Sequence, residues 1–229
     1  LQAAESWQVQ GEENGRFDAS GLLVDAKGEA IFTINDRNSD LFRIEIEGST
    51  ARLVATELFP PEKVQGVAPV ERARYDCEGI ARDERGRFYI CEEADRSIYR
   101  CDRRGRNVER LAIDWFPVAS DFQGGINASF EGLAAGGGRL YVANERNNPL
   151  IIVVDLETLA VIDQFTVNAT GFALGGPHYS GLDWFDGHLY VLDRNHRTVL
   201  QVDPAPHHIV AEFRFGAMEK GAEVEYLTD

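Results

Sequence analysis

The sequence predicts an all-β chain folded as a β-propeller of four-stranded antiparallel blades, and three observations predict it. A phrase recurs four times with variation: Asp18-Ala-Ser-Gly-Leu22, Asp76-Cys-Glu-Gly-Ile80, Ser129-Phe-Glu-Gly-Leu133 and His178-Tyr-Ser-Gly-Leu182. Its glycines, Gly21, Gly79, Gly132 and Gly181, are 58, 53 and 49 residues apart. After each comes the same order of signals: a β run, a glycine turn, an aromatic β run, an acidic tip and further β runs. Repeats near fifty residues with several strands in each unit are the signature of a propeller, whose blades bury their faces only against one another.

The innermost strand of each unit follows the glycine: Leu22–Asp25, Ile80–Asp83, Leu133–Ala135 and Leu182–Phe185. Lys27-Gly28, Arg85-Gly86, Gly136-Gly-Gly138 and Asp186-Gly187 supply hairpin turns, because glycine accepts positive φ. Second strands, rich in aromatic and β-branched residues, lie at Ala30–Ile34, Phe88–Cys91, Leu140–Ala143 and Leu189–Leu192. Third strands run Leu41–Glu45, Ile98–Asp102, Ile151–Asp155 and Val199–Asp203, each closing on an acid. Outer strands are read at Ala51–Leu58, Val108–Ile113, Val161–Val167 and Ile209–Phe215. No stretch keeps a helical apolar period for three turns.

This reading makes residues 1–229 one domain, with blades at about 17–58, 75–113, 128–167 and 178–215. Residues 5–10 and 222–228 read as strands of a closing blade, the N-terminal one pairing with the last blade so that no free edge remains. Four blades are visible, and five or six are expected in the parent protein. The long links Phe59–Tyr75 and Asp114–Asn127 are unusual for a compact domain and point to function or mobility.

A net charge of −15 disfavours nucleic acid and anionic membrane surfaces as partners. No apolar run approaches the length of a membrane span, so membrane insertion is not expected, and a monomer is. Cys77, Cys91 and Cys101 fit neither zinc knuckles nor a disulfide framework. They read as small buried hydrophobes, although a Cys77–Cys91 bond remains open if the first hairpin of that unit brings the two together. Met218 is the sole methionine and the sequence starts at Leu1; a removed export signal and a trimmed chain both account for this.

The second strand of each unit returns to the rim where the first one starts. The glycine-to-acid spacings of 15, 14, 13 and 12 residues lead to Asp36, Glu93, Glu145 and Asp193. With Glu78 and Glu131 from the openings, these six carboxylates should line one mouth of the central channel. So many acids in one funnel repel one another unless a cation binds, some stay protonated or arginines pair with them. Ca²⁺ suits an all-oxygen set, with Asn35, Asn127 and Asn144 as neutral donors. The competing reading is that Arg37, Arg74, Arg146 and Arg194 pair with the acids and fix the blade tips. A Ser180–His178 pair can be drawn, but a triad needs a geometry that spacing alone does not give, and no Gly-Xaa-Ser-Xaa-Gly elbow or phosphate loop is supported.

Asp76-Cys-Glu-Gly-Ile-Ala81, Tyr89-Ile-Cys-Glu-Glu93 and Ile98-Tyr-Arg-Cys-Asp102 resemble the phytase-like, "esterase-like activity of phytase" β-propeller family. Asn127-Ala-Ser-Phe-Glu-Gly-Leu-Ala134 is similar to its second signature, an Asn-Arg-Gly-Phe-Glu-Gly-Leu phrase, with Ala128-Ser129 in place of Arg-Gly. The resemblance implies an exported, periplasmic or extracellular, calcium-binding propeller that hydrolyses phosphate or carboxylic esters. Glu78, Glu93, Glu131 and Glu145 are the residues that carry over as metal ligands. The expected function is therefore a Ca²⁺-dependent ester or phosphoester hydrolase, phytase-like or lactonase-like, with Asp36 and Asp193 completing the rim or serving as bases. The alternative is a non-catalytic propeller that binds a ligand or protein, with Trp115-Phe116 or Trp184-Phe185 as a contact patch. For Trp184 packing between blades is the simpler role.

Overall fold

The computed structural model describes residues 7–10, 17, 19–25, 28, 30–35, 41–56, 76–122, 129–145 and 148–219. Four antiparallel sheets follow one another along the chain. The first holds β2 (Ala19–Val24), β3 (Ile31–Asn35), β4 (Leu41–Glu47) and β5 (Thr50–Ala55). The second holds β6 (Cys77–Arg82), β7 (Phe88–Glu92), β8 (Ser97–Cys101) and β9 (Glu109–Arg110). The third runs through β10 (Phe130–Gly136), β11 (Arg139–Asn144), β12 (Leu150–Asp155) and β13 (Val161–Phe165). The fourth is β14 (Tyr179–Phe185), β15 (His188–Asp193), β16 (Thr198–Asp203) and β17 (His208–Arg214). Each sheet is a blade of the expected propeller, its strands paired in sequence order. The outer strand of the second blade is the shortest, at two residues instead of the six read from the sequence.

Alternating burial along the strands gives every sheet faces that need cover, and consecutive blades supply it. Leu23, Ile34 and Leu41 pack on Ile80, Phe88 and Ile90 between blades one and two. Tyr89, Cys91 and Ile98 meet Phe130, Leu133 and Val142 between blades two and three. Tyr141, Ile151 and Val153 meet Leu182, Val191 and Leu200 between blades three and four. Trp184 belongs to this last interface: its indole stacks on Tyr141 with centroids 5.4 Å apart. All three cysteines are buried and free, so no Cys77–Cys91 bond exists in this arrangement. They fill the blade interfaces as small apolar groups.

The recurring glycines have a steric reason. A Cβ on Gly21 would come within 2.9 Å of the Ile80 backbone nitrogen, and one on Gly79 within 2.9 Å of that of Leu133. One on Gly132 would meet the Gly181 backbone, also at 2.9 Å. Each inner strand thus lies backbone to backbone against the next, which only glycine allows. Gly181 breaks the series, since its added Cβ would meet only Leu192 of its own blade, at 3.7 Å. Beside it opens a cavity of about 380 Å³, bordered by Ser20 and Leu22 of blade one and by Asp183, Tyr190 and Val199 of blade four.

Two expectations about the ends meet different outcomes. β1 (Gln8–Gln10) pairs in parallel with β5, on the outer edge of the first blade, and not with the last one. It covers an edge that would otherwise present unpaired backbone groups. The strand expected at 222–228 lies outside the described residues, as does the link 59–75. Part of the other long link forms a 3₁₀ turn, Phe116–Asp121, and a single helical turn, α1 (Gly216–Glu219), follows β17. Among the described residues no helix is long and apolar enough to cross a membrane.

Candidate metal centre at the channel rim

The rim is built by one local device used repeatedly. The register between innermost and second strand slips at the opening phrase: between Cys77 and Gly79, between Phe130 and Gly132, and between Tyr179 and Gly181. The residue inside each slip is Glu78, Glu131 or Ser180. A β-bulge leaves this extra residue out of the ladder and re-aims its side chain, which is why bulges gather at barrel rims and active sites. In blade one the slip spans Ser20 and Gly21.

The acids at the ends of the second strands are tied back to the same openings. Glu93 N donates to Asp76 O at 2.8 Å, and Glu145 N donates to Ser129 O at 2.7 Å. Their carboxylates reach forward to the next blade. Glu93 Oε1 accepts from Ser129 N at 2.9 Å. Glu145 Oε1 contacts His178 Nε2. The acid of one blade therefore grips the opening of the next, and the grip draws the acids toward one another.

Two clusters result. Glu93, Glu131 and Glu145 each offer a carboxylate oxygen within 4.8 Å of the others, and Asp76, Glu78 and Glu93 do the same. Glu93 belongs to both. Of the expected metal ligands, the structure thus brings Glu93, Glu131 and Glu145 to one point and places Glu78 beside them with Asp76. Glu93 and Glu145 are 4% and 2% exposed, far below what charged side chains normally tolerate. Burial, reinforced by Glu145, Glu78 and Glu93, pushes the Glu131 carboxyl up to about 9, with Arg194 opposing. At neutral pH and without a cation, Glu131 therefore keeps its proton.

Asp193 takes a different place from the one expected. It has no exposed surface. Oδ1 accepts from His178 N at 3.2 Å and His196 N at 3.3 Å, and Oδ2 meets His196 Nδ1 at 2.7 Å. A carboxylate so enclosed orients its neighbours and reaches no substrate in this arrangement. Asp36 lies outside the described residues, as do Arg37, Arg74, Arg146 and Asn127.

Of the arginines proposed to pair with the acids, Arg194 does so. Its Nη2 stands 3.3 Å from Glu145 Oε1 and 2.9 Å from His178 Nε2, while the side chain stays 60% exposed. His178 is the group the sequence reading undervalued: it is buried against Glu145, a residue 33 positions away. Ser180 Oγ is buried and makes no hydrogen bond to any described residue, so it forms no pair with His178. Asp76 was visible in the opening phrase, but nothing in the spacing separated it from the Asp18 of blade one.

The donor set can be tested for a cation. All the converging groups are hard carboxylate oxygens, and His178 and Arg194 meet them at Glu145. Asn144 Oδ1 and Ser129 Oγ, both buried beside these acids, have no hydrogen-bond partner among the described residues. Converging carboxylate oxygens are what a Ca²⁺-type ion binds, so the residues fit the group.

Comparison with known proteins agrees with the architecture. Residues 17–227 match the profile of a family described as "Phytase-like: Esterase-like activity of phytase". No curated protein matches the chain. Among solved structures, the glutaminyl cyclase of Myxococcus xanthus is similar with a TM-score of 0.61 and 14% identity, over 92% of this chain and 77% of that one. The WD40 repeats of RRP9 are similar at 0.53 and 14%, over 88% of this chain and 52% of that one. U3-55K gives 0.53 and 14%, over 93% and 56%. The chain spans about half the length of these last two structures. At such identities the likeness carries the propeller fold and nothing of what those proteins do.

Proposed function

The chain belongs to the phytase-like family, matched over residues 17–227, and on that premise we propose that it is a Ca²⁺-dependent hydrolase of ester bonds working at the rim of its channel. The observation that carries this reading is the meeting of Glu93, Glu131 and Glu145 within 4.8 Å, two of them almost wholly buried. Acids drawn this close repel one another, and a hard divalent cation resolves their repulsion. Glu93, Glu131 and Glu145 would hold it, with Glu78 and Asp76 adjoining through Glu93. Such a cation, when bound, supplies Lewis-acid polarisation of a carbonyl or phosphoryl oxygen.

The protein's own residues account for the rest. The overall change is balanced: water adds to the acyl or phosphoryl centre, the ester C–O or P–O bond breaks, and the leaving oxygen takes up a proton. With Glu145 turned to the cation, His178 Nε2 would be free to accept the proton from water and to pass it to the leaving group. Asp193 and His196 hold the His178 backbone and the turn behind it, so the imidazole is oriented before substrate arrives. The exposed Arg194 guanidinium faces the growing negative charge on the reacting oxygen. Asp36, outside the described residues, stays the base candidate that the sequence spacing offers. Export to the periplasm or the extracellular medium is part of this proposal through the family resemblance.

The test is hydrolysis of 4-nitrophenyl acetate and 4-nitrophenyl phosphate by protein stripped with EDTA, before and after Ca²⁺ is restored. Turnover that depends on Ca²⁺ and falls at least about 100-fold in Glu93→Gln supports the reading. Turnover indifferent to both chelator and Glu93→Gln removes it.

A further inference from the structure

Three of the four openings press their glycine onto the next blade, and the fourth does not. A Cβ on Gly132 would lie 2.9 Å from the Gly181 backbone, whereas one on Gly181 would meet only Leu192 of its own blade, at 3.7 Å. The strand registers show which side chains this leaves uncovered. In blade three Gly132 pairs with Ala143, Ala134 with Tyr141, and Ala143 with Ile151. In blade four Gly181 with Leu192, Asp183 with Tyr190, and Leu192 with Val199 take the same places.

The two sets meet different surroundings. Tyr141, Ala143 and Ile151 are no more than 1% exposed, because blade four packs on them. Tyr190, Leu192 and Val199 stay half-buried, because they border the cavity of about 380 Å³ between blades four and one. Leu22, Ile80 and Leu182 add hydrocarbon to its wall. A cavity of this size lies within the usual range of small-molecule pockets, about 300–1,000 Å³, and such pockets are mostly apolar with a few placed polar groups.

The polar groups here have a definite address. Glu131 borders the cavity, and its carboxyl is one of the three that converge with Glu93 and Glu145. Cavity and acidic cluster therefore share a residue, and a molecule that fills the cavity lies against the cluster at Glu131. Asp183, the other acid on the wall, is engaged through Oδ1 by Trp184 N at 2.8 Å. An ester with a hydrocarbon arm matches both ends: the arm leaves water among the leucines, and its carboxylic carbon comes to the Glu131 side.

We propose that this cavity is an acyl pocket, that the substrate is a carboxylic ester with a hydrocarbon acyl arm, and that Gly181 sets the room the arm is given. This rests on the hydrolase reading above and narrows its substrate class. A side chain at position 181 would start on the cavity wall beside Leu192 and occupy the space the arm needs. Methylenes far from the reacting bond gain binding by burial, so the preference for a longer arm should fall on KM more than on kcat.

The experiment compares 4-nitrophenyl hexanoate with 4-nitrophenyl acetate in Ca²⁺-loaded wild type, in Gly181→Leu and in Val199→Phe. The second variant fills the cavity from another strand, and circular dichroism checks that each one folds. The expected result is a kcat/KM at least about tenfold higher for hexanoate in wild type, falling toward unity in a folded variant through a rise in the hexanoate KM. An unchanged hexanoate-to-acetate ratio in a folded variant, or no preference in wild type, overturns the proposal. If wild type sediments as a dimer that Gly181→Leu dissociates, the seam between blades four and one joins two copies and the proposal is overturned. If no ester is hydrolysed at all, the hydrolase reading fails on its own. Calorimetric titration with neutral hexanamide then decides the cavity: saturable binding by wild type that the filled variants lose upholds the pocket, and equal or no binding overturns it.

Discussion

Substituting Glu131 by Gln probes the charge balance of the rim and yields a prediction whose sign is fixed. The Glu131 carboxyl is pushed from an ordinary 4.5 to about 9, first by burial and then by Glu145, Glu78 and Glu93. Between those two values the folded protein holds a proton that the unfolded chain has released. Stability from this group is thus complete below about 4.5, declines as pH rises and is gone above about 9. Gln has the shape of the protonated acid and does not titrate, so Glu131→Gln should match wild type near pH 4.5 and exceed it increasingly toward pH 9. A full separation at about 1.36 kcal/mol per pH unit would approach 6 kcal/mol. Glu131 is only half-buried and Arg194 stands near, so about 2–3 kcal/mol is the reasoned size. In a chain of this length that is roughly 5–10 °C in Tm. The assay is thermal unfolding of EDTA-treated wild type and Glu131→Gln between pH 5 and 9, followed by circular dichroism. Parallel Tm curves for the two proteins, or a gap that narrows with rising pH, would refute the reasoning.

Other consequences follow from the same geometry. Gly132→Ala should cost about 2–4 kcal/mol, because its Cβ would press on the Gly181 backbone at 2.9 Å, whereas Gly181→Ala should stay within about 1 kcal/mol; urea titration of both variants checks the contrast. Tyr179 OH donates to Val167 O at 2.5 Å and accepts from Val167 N at 2.8 Å. Tyr179→Phe should therefore lose about 1–3 kcal/mol by leaving both backbone groups unpaired in the interior, again read by urea unfolding. His178→Gln should keep the fold and lower kcat on a 4-nitrophenyl ester by about 10²–10⁴; full activity in that variant would take the proton-transfer role away from His178.

Much of this was legible in the sequence because the repeat is written in glycines and acids. Gly21, Gly79, Gly132 and Gly181 marked the innermost strands, and the glycine-to-acid spacing put Glu93 and Glu145 on the rim that Glu78 and Glu131 share. Pairing of successive strands follows from short turns, so the blades could be read locally. What depended on contacts between blades was not readable. His178 looks like a lone loop histidine until Glu145, in another blade, is brought against it. Asp193 sits one residue nearer its glycine than Glu145 does, so it pairs with Tyr179 as Asn144 pairs with Phe130, and Arg194 takes the place of Glu145. The N-terminal strand carried no mark of its partner, and it joined β5 instead of the last blade. A β-run can be recognised without knowing which free edge will take it.

The central claim is that the rim acids hold a divalent cation, and calorimetric titration of Ca²⁺ into EDTA-stripped, dialysed protein tests it most directly. Glu93 belongs to both acidic clusters, so wild type and Glu93→Gln are the pair to compare. The account predicts saturable Ca²⁺ binding in wild type that Glu93→Gln loses or weakens by at least about 1.4 kcal/mol, a factor of ten. Absence of binding in wild type, or the same affinity in both, would contradict it.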